Sequence, residues 1–132
     1  MLSSEAAAQV AAQLEGLNLP VITYPADYDV DGVKSFSWYA SNYPEGWLAV
    51  RMPRSFGQQG YHTDWTITID AAARTEVDAR RAAHAVQQRL MSLSRAPTAF
   101  LFMGDVLVTD GKGVKYVLTF TAKLKQPQAL LR

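Results

Sequence analysis

The sequence predicts an α+β domain: one mostly antiparallel or mixed β-sheet with two helices packed on it and a long loop after the first strand. Three observations carry that expectation. Two segments repeat apolar residues at helical spacing, the later strands alternate apolar and polar residues, and an Asp-Gly turn joins the last two strands as a hairpin. The chain has 132 residues, 48% of them hydrophobic and 19% charged. That suits a single domain over residues 1–132 with one core.

The first helix is expected from a cap at Ser3 or Ser4 to about Glu15, with Val10, Leu14 and Leu17 as a narrow apolar stripe. Gly16 and Asn18 end it and Pro20 bars its continuation. Leu19 to Tyr24 reads as a strand closed by Pro25. Residues 26–46 then read as a long irregular loop, rich in Asp, Gly and Ser and in aromatics. Trp47 to Met52 alternates and reads as a strand, and Pro53 to Gly60 as a loop. Along Tyr61 to Ala71, one face carries Tyr61, Thr63, Trp65, Ile67 and Ile69, and the other His62, Asp64, Thr66, Thr68 and Asp70.

Thr75 is placed to cap a second helix, with Asp78 completing an approximate capping box at its positive end. Ala79, Ala82, Ala83, Val86, Leu90 and Leu93 form its inward face, with Arg74, Arg80, Arg81 and Arg89 outside. Pro97 marks the exit. Thr98 to Thr109 and Val114 to Lys125 are strands joined by Asp110-Gly111-Lys112-Gly113. In the last strand Val114, Tyr116, Leu118, Phe120, Ala122 and Leu124 face one way, and Lys115, Thr119, Thr121 and Lys123 the other, as in a sheet with one solvated face. Residues 126–132 read as a flexible tail, frayed or docked onto a partner.

The net charge is +1, so bulk attraction to nucleic acid is weak. It is unevenly placed: residues 1–50 carry −5 and the remainder +6. Two readings stand side by side, chance with local pairing, and a polar subunit whose acidic surface meets a neighbour's basic one. No apolar run reaches the ~20 residues of a membrane span. The N-terminus lacks the basic segment of a secretory signal, so a soluble protein that stays where it is made is expected. Without cysteine, disulfides and thiolate metal sites are excluded.

Asp27, Asp29, Asp31 and Gly32 match the first half of an EF-hand loop, but Trp38 stands where the bidentate Glu belongs. His62 and His84 have no second ligand at metal spacing. No P-loop, dinucleotide fingerprint or nucleophile elbow occurs, and Asp64 and Asp70 share their strand face with too many polar residues to stand out as an acid/base pair. No catalytic, cofactor or metal residue is therefore assigned, and the expectation is of a protein that is not an enzyme. Aromatics inside a loop cannot all join one regular buried face. Trp38 and Trp47 are expected to fold back on the core, and the stretch as a whole also reads as a binding arm. Lys34, alone among acids, argues against base stacking. Candidate interface residues are Tyr28, Phe36, Trp38, Tyr39 and Tyr43 from the loop, with Arg51, Arg54, Arg74, Arg80 and Arg81.

The strand WTITIDA, the helix TEVDARRAAHAVQQRLMSL and the hairpin FLFMGDVLVTDGKGVKYVLTFTAKL, preceded by LPVITYPAD, resemble in pattern and order the tail terminator, or minor capsid, proteins of long-tailed bacteriophages. Asp27 to Gly60 lies outside the resemblance. It implies a structural virion protein at the head–tail junction, assembled in the host cytoplasm. Such a subunit forms a homohexameric ring that caps the tail tube, ends tail polymerisation and joins tail to head. The implied partners are further copies, the tube protein and a head-completion or connector protein, with no cofactor, no membrane and no sequence-specific nucleic acid, DNA passing through the ring. A head-closure or connector protein is the alternative within the virion, and a small cytoplasmic enzyme or ligand-binding domain the alternative outside it.

Overall fold

The computed structural model of the chain describes residues 2–24, 36–59, 62–92, 99–110 and 113–125. Over these residues it is an α+β fold with one mixed sheet of six strands and three α-helices. The order is α1 (Ser3–Leu14), β1 (Val21–Tyr24), α2 (Phe36–Asn42), β2 (Trp47–Arg51), β3 (Arg54–Gln59), β4 (His62–Ala73), α3 (Glu76–Ser92), β5 (Ala99–Asp110) and β6 (Gly113–Lys125). The sheet runs β1-β2-β4-β6-β5, and β3 pairs with β4. Only the β1·β2 pair is parallel.

Several expectations are corrected. The first helix is not capped by a serine: Leu2 occupies the cap position, and its amide donates to Glu5 Oε1 at 2.8 Å. Ser3 and Ser4 already belong to the first turn. The helix closes through a 3₁₀ turn, Glu15–Leu17, and Asn18 takes the left-handed conformation at φ 59°. The expected loop 26–46 contains a third helix, α2, and the expected loop Pro53 to Gly60 contains β3. β2 does not alternate in burial: Trp47, Leu48, Ala49 and Val50 are all buried, because both faces of the sheet are covered there.

β2 and β3 lie end to end along the same edge of β4, parted at Met52-Pro53. Proline cannot donate to the ladder, which breaks one long strand into two. β5 and β6 form the expected hairpin, but Asp110 pairs with Gly113, so the strands run one residue further on each side than the expected four-residue connection allows. β5 carries a bulge between Phe102 and Gly104, where Gly104 adopts φ 148°. A bulge residue at positive φ suits glycine.

One face of the sheet lies under α1 and α3. Trp65, Ile67 and Ile69 of β4 meet Leu118, Phe120, Ala122 and Leu124 of β6 there, as their alternation predicts. α3 contributes Ala79, Ala82, Ala83, Val86 and Leu90 and α1 contributes Ala6, Ala7, Val10 and Leu14. The small side chains let the helices approach closely, and Arg89 Nε, donating to the Gln13 carbonyl at 2.9 Å, ties α3 to α1. Thr75 caps α3 as expected, accepting from the Asp78 amide at 3.3 Å. Among the described residues, the opposite face is covered by α2 at one end only, over a smaller cluster of Tyr39, Ala40, Trp47 and Ala72.

Candidate interaction surfaces

At the covered end of the second face, α2 brings together most of the aromatic residues that the sequence singled out. Residues three, four and seven apart share a helix face, so Phe36, Tyr39 and Tyr43 point the same way. Phe36 meets Trp47 edge-on at 5.1 Å between ring centroids, and Tyr39 stacks on Trp47 at 5.7 Å. Trp38 packs edge-on against Tyr39 and Tyr43 at 4.9 and 6.1 Å. Asn42 Nδ2, donating to the Trp38 carbonyl at 2.8 Å, and the Tyr43 amide, donating to the Tyr39 carbonyl at 2.8 Å, close the helix. Trp47 is fully buried and Trp38 half-buried, so both fold back on the sheet. Of the described aromatic candidates, Tyr43, at 39% exposure, offers the most surface to a partner. Tyr28 and the acidic Asp27, Asp29 and Asp31 lie outside the described residues.

Beside this cluster lies Asp70, on the polar face of β4 yet wholly buried. A buried carboxylate needs charged partners. Arg51 supplies them in bidentate form, Nε to Oδ1 at 3.0 Å and Nη2 to Oδ2 at 3.2 Å. Lys115 Nζ lies 3.5 Å from Oδ2 and 5.9 Å from the centroid of the Phe36 ring. The register explains the meeting, since Ala72 is opposite Lys115 and Ala49 is opposite Asp70. Arg51, a candidate contact residue by sequence, thus turns its guanidinium inward to neutralise Asp70.

Arg80 and Arg81 of α3 are exposed and engaged locally. Arg80 pairs with Glu76 at 2.9 Å and Arg81 with Asp78 at 3.2 Å. Arg80 Nε also donates to the Tyr116 hydroxyl at 3.3 Å, and that hydroxyl donates to Glu76 Oε1 at 3.3 Å. Tyr116, ahead of Glu76, raises the Arg80 pKa above its ordinary value. Arg74 is exposed, its amide donating to the Pro44 carbonyl at 3.1 Å, and Arg54 is exposed on β3. The candidate residues therefore divide into an aromatic group around α2, an arginine group on α3, and Arg51 and Arg54 along the β2–β3 line.

Hollows lined by described residues lie at three places. One of about 350 Å³ is bordered by Asn18, Pro20, Tyr43 and Glu45. One of about 210 Å³ lies between α3 and the β5–β6 pair, lined by Arg80, His84, Gln87, Asp105 and Tyr116. The third, about 330 Å³, crosses the uncovered sheet face between Phe56 and Leu101, over Asp64, Thr121 and Lys123. Among the described residues, no three His, Cys, Asp or Glu side chains gather as a metal site, and no helix is long and apolar enough to cross a membrane.

The largest apolar exposure lies where the sequence reading placed no candidate. β5 shows Leu101 at 59%, Met103 at 58%, Val106 at 62%, Leu107 at 44% and Val108 at 36% exposure. These are five of the eleven large apolar side chains exposed among the described residues, on one strand at the margin of the sheet. The signal was present in FLFMGDVLV, which is apolar on both alternations. An interior strand and an edge strand read alike in such a run, and only the topology separates them. No protein-family model matches the sequence, and no curated protein is significantly similar to it.

Proposed function

We propose that this protein is a structural subunit that works by associating with further copies of itself and with other proteins: a ring at the head–tail junction of a long-tailed phage, capping the tail tube. The observation that carries this reading is the β5 margin. Exposed apolar side chains concentrated on one edge strand mark an association surface. Monomers blunt such an edge with charges or proline, and β5 has only Asp105 among its exposed apolar residues. On the other side of the sheet, among the described residues, β1 ends the strand order and β3 lies along β4 with Phe56 62% exposed. Two different surfaces on opposite sides are what a head-to-tail ring requires. The order of elements along the chain supports the terminator likeness, and a head-closure or connector ring would use the same two margins.

Light scattering on the purified protein over a wide concentration range, alone and with tail tubes, tests the reading. A discrete ring mass, or decoration of tube ends seen by electron microscopy, is the expected result. A mass that stays monomeric in every condition, with bare tube ends, overturns it. Decoration of head connectors in place of tubes moves the assignment to head closure.

A further inference from the structure

We propose that β5 of one copy pairs with β1 of the next, so that neighbouring subunits join their sheets end strand to end strand. This rests on the ring reading for its self-association and goes beyond it in naming the two strands and their register. β1 and β5 stand at the two ends of the strand order β1-β2-β4-β6-β5. Among the described residues, β1 pairs only with β2 and β5 only with β6. The Leu48 amide donates to the Pro20 carbonyl at 2.8 Å, so the backbone of Pro20 turns toward β2 and, by alternation, that of Val21 turns away from it.

Strand direction favours the join. β1 is parallel to β2, while β2 and β4, β4 and β6, and β6 and β5 are antiparallel. β1, β2 and β6 therefore run one way and β4 and β5 the other. Copies related by rotation about an axis along the strands keep these directions, so β5 arrives antiparallel to the neighbour's β1.

The register sets the exposed row level with β1. Across the sheet, Val21 stands in line with Leu48, Ala71, Tyr116 and Leu107, and Ile22 with Ala49, Asp70, Val117 and Val106. A rotation about an axis along the strands keeps these levels, so Leu107 of one copy meets Val21 of the next and Val106 meets Ile22. The faces agree as well. Val21 packs on the helix-covered core, and Leu107 lies on that side, opposite Tyr116. Ile22 packs on the α2 cluster, and Val106 lies on that side of the sheet. Each exposed apolar side chain of β5 is thus set beside a half-buried apolar one. Tilted strands would slide this register by two residues at a time, since an odd step turns every side chain to the other face.

Area and charge point to the same occupant. Asp105 to Thr109, all exposed, present roughly 400 Å², about half of the ~800 Å² that each partner gives to a standard interface. The helices follow the strands: α1 lies over β1 and β2, and α3 over β4, β6 and β5, so α1 of one copy comes beside α3 of the next. α1 and β1 belong to residues 1–50, which carry −5, and α3, β5 and β6 to the remainder, which carries +6. The join sets the acidic part of one copy against the basic part of its neighbour. A homotypic β5·β5 pair would bury the same apolar row, but it gives a two-fold dimer and leaves β1 unmatched.

The chain has no cysteine, so engineered thiols report one contact each. Within one copy Val21 and Leu107 stand four strand spacings apart, about 19 Å, so a short link between them reports a neighbour. Val21→Cys, Leu107→Cys and the double variant are treated with a short bis-maleimide under the conditions in which wild-type assembles. The double variant is expected to give a covalent ladder that ends at the ring, and each single variant only monomer. Val106→Lys, at a position exposed in the single copy, should weaken association about tenfold or more, with circular dichroism and melting temperature unchanged. Assembly without a crosslink in the double variant, crosslinked dimers from Leu107→Cys alone, or a Val106→Lys variant that assembles like wild-type overturns the β5–β1 pairing and leaves the ring reading standing. A wild-type protein that never associates overturns both.

Discussion

Under α1 and α3, β4 and β6 line the core with Ile67, Ile69, Leu118 and Phe120, all fully buried. On the other face the same two strands carry Thr66, Thr68, Thr119 and Thr121, half-buried and covered by no described element. Among the described residues, only the far end of that face is roofed, by α2, and there it buries Trp47 and the Asp70 carboxylate. One face is thus closed by apolar packing along its length. The other is closed locally, by aromatic packing beside an ion cluster, and has no further cover among the described residues. The difference teaches where stability is held. Apolar area removed from water dominates folding, so the helix-covered face carries most of the stability, and the second face can differ along its length without unfolding the domain.

The largest test of that comparison is Phe120→Ala, which empties the centre of the helix-covered face. A loss of about 3–5 kcal/mol is expected in denaturant unfolding. A loss below 1 kcal/mol would mean that the core lies elsewhere. Asp70→Ala comes next. It strands Arg51 and Lys115 without their carboxylate, and about 3 kcal/mol is expected, somewhat under the range for a fully buried pair because Arg51 is a third exposed. Joint replacement of Arg51, Asp70 and Lys115 by apolar residues should cost less than Asp70→Ala alone, which a three-way mutant cycle would measure.

Gly113→Ala tests how closely α2 is seated. A Cβ there would stand 2.9 Å from the Ala73 carbonyl oxygen and 3.0 Å from the Phe36 ring. The backbone oxygen cannot yield cheaply, so a loss of about 1–3 kcal/mol is expected, with a change in tryptophan fluorescence as Phe36 moves against Trp47. The smallest effect belongs to Thr119→Ala on the wet part of the second face, under ~1 kcal/mol by the same unfolding assay. A loss as large as that of Phe120→Ala would show that something covers this face in the isolated protein.

Much of the covered face was legible in advance. The alternation in β4 and β6 and the 3.6-residue repeat in α3 each state which side chains turn inward, and a periodic pattern is a local property that survives folding. The Thr75–Asp78 cap and the Asp-Gly hairpin were legible for the same reason. The aromatic stretch was read for its composition but not its form. α2 is a short helix with no long periodic face, and it exists because Trp47 and Ile22 lie beneath it. β3 was hidden by Pro53, Gly57 and Gly60, which mark loops unless a neighbouring strand supplies the ladder.

The sequence by itself determined the α+β class, the order of most elements, the inward face of the long strands and of α3, and the lack of any disulfide. These follow from bonded geometry and short-range periodicity. Only the tertiary structure decided that β5 is an edge, that Asp70 is buried against Arg51 and Lys115, and that Arg80 and Arg81 are held by their own helix. Burial and exposure depend on what lies across the sheet, and β4 must first be paired with β2 and β6 before Asp70 has either partner. The same apolar run that is a core strand between two neighbours is left exposed when it has one.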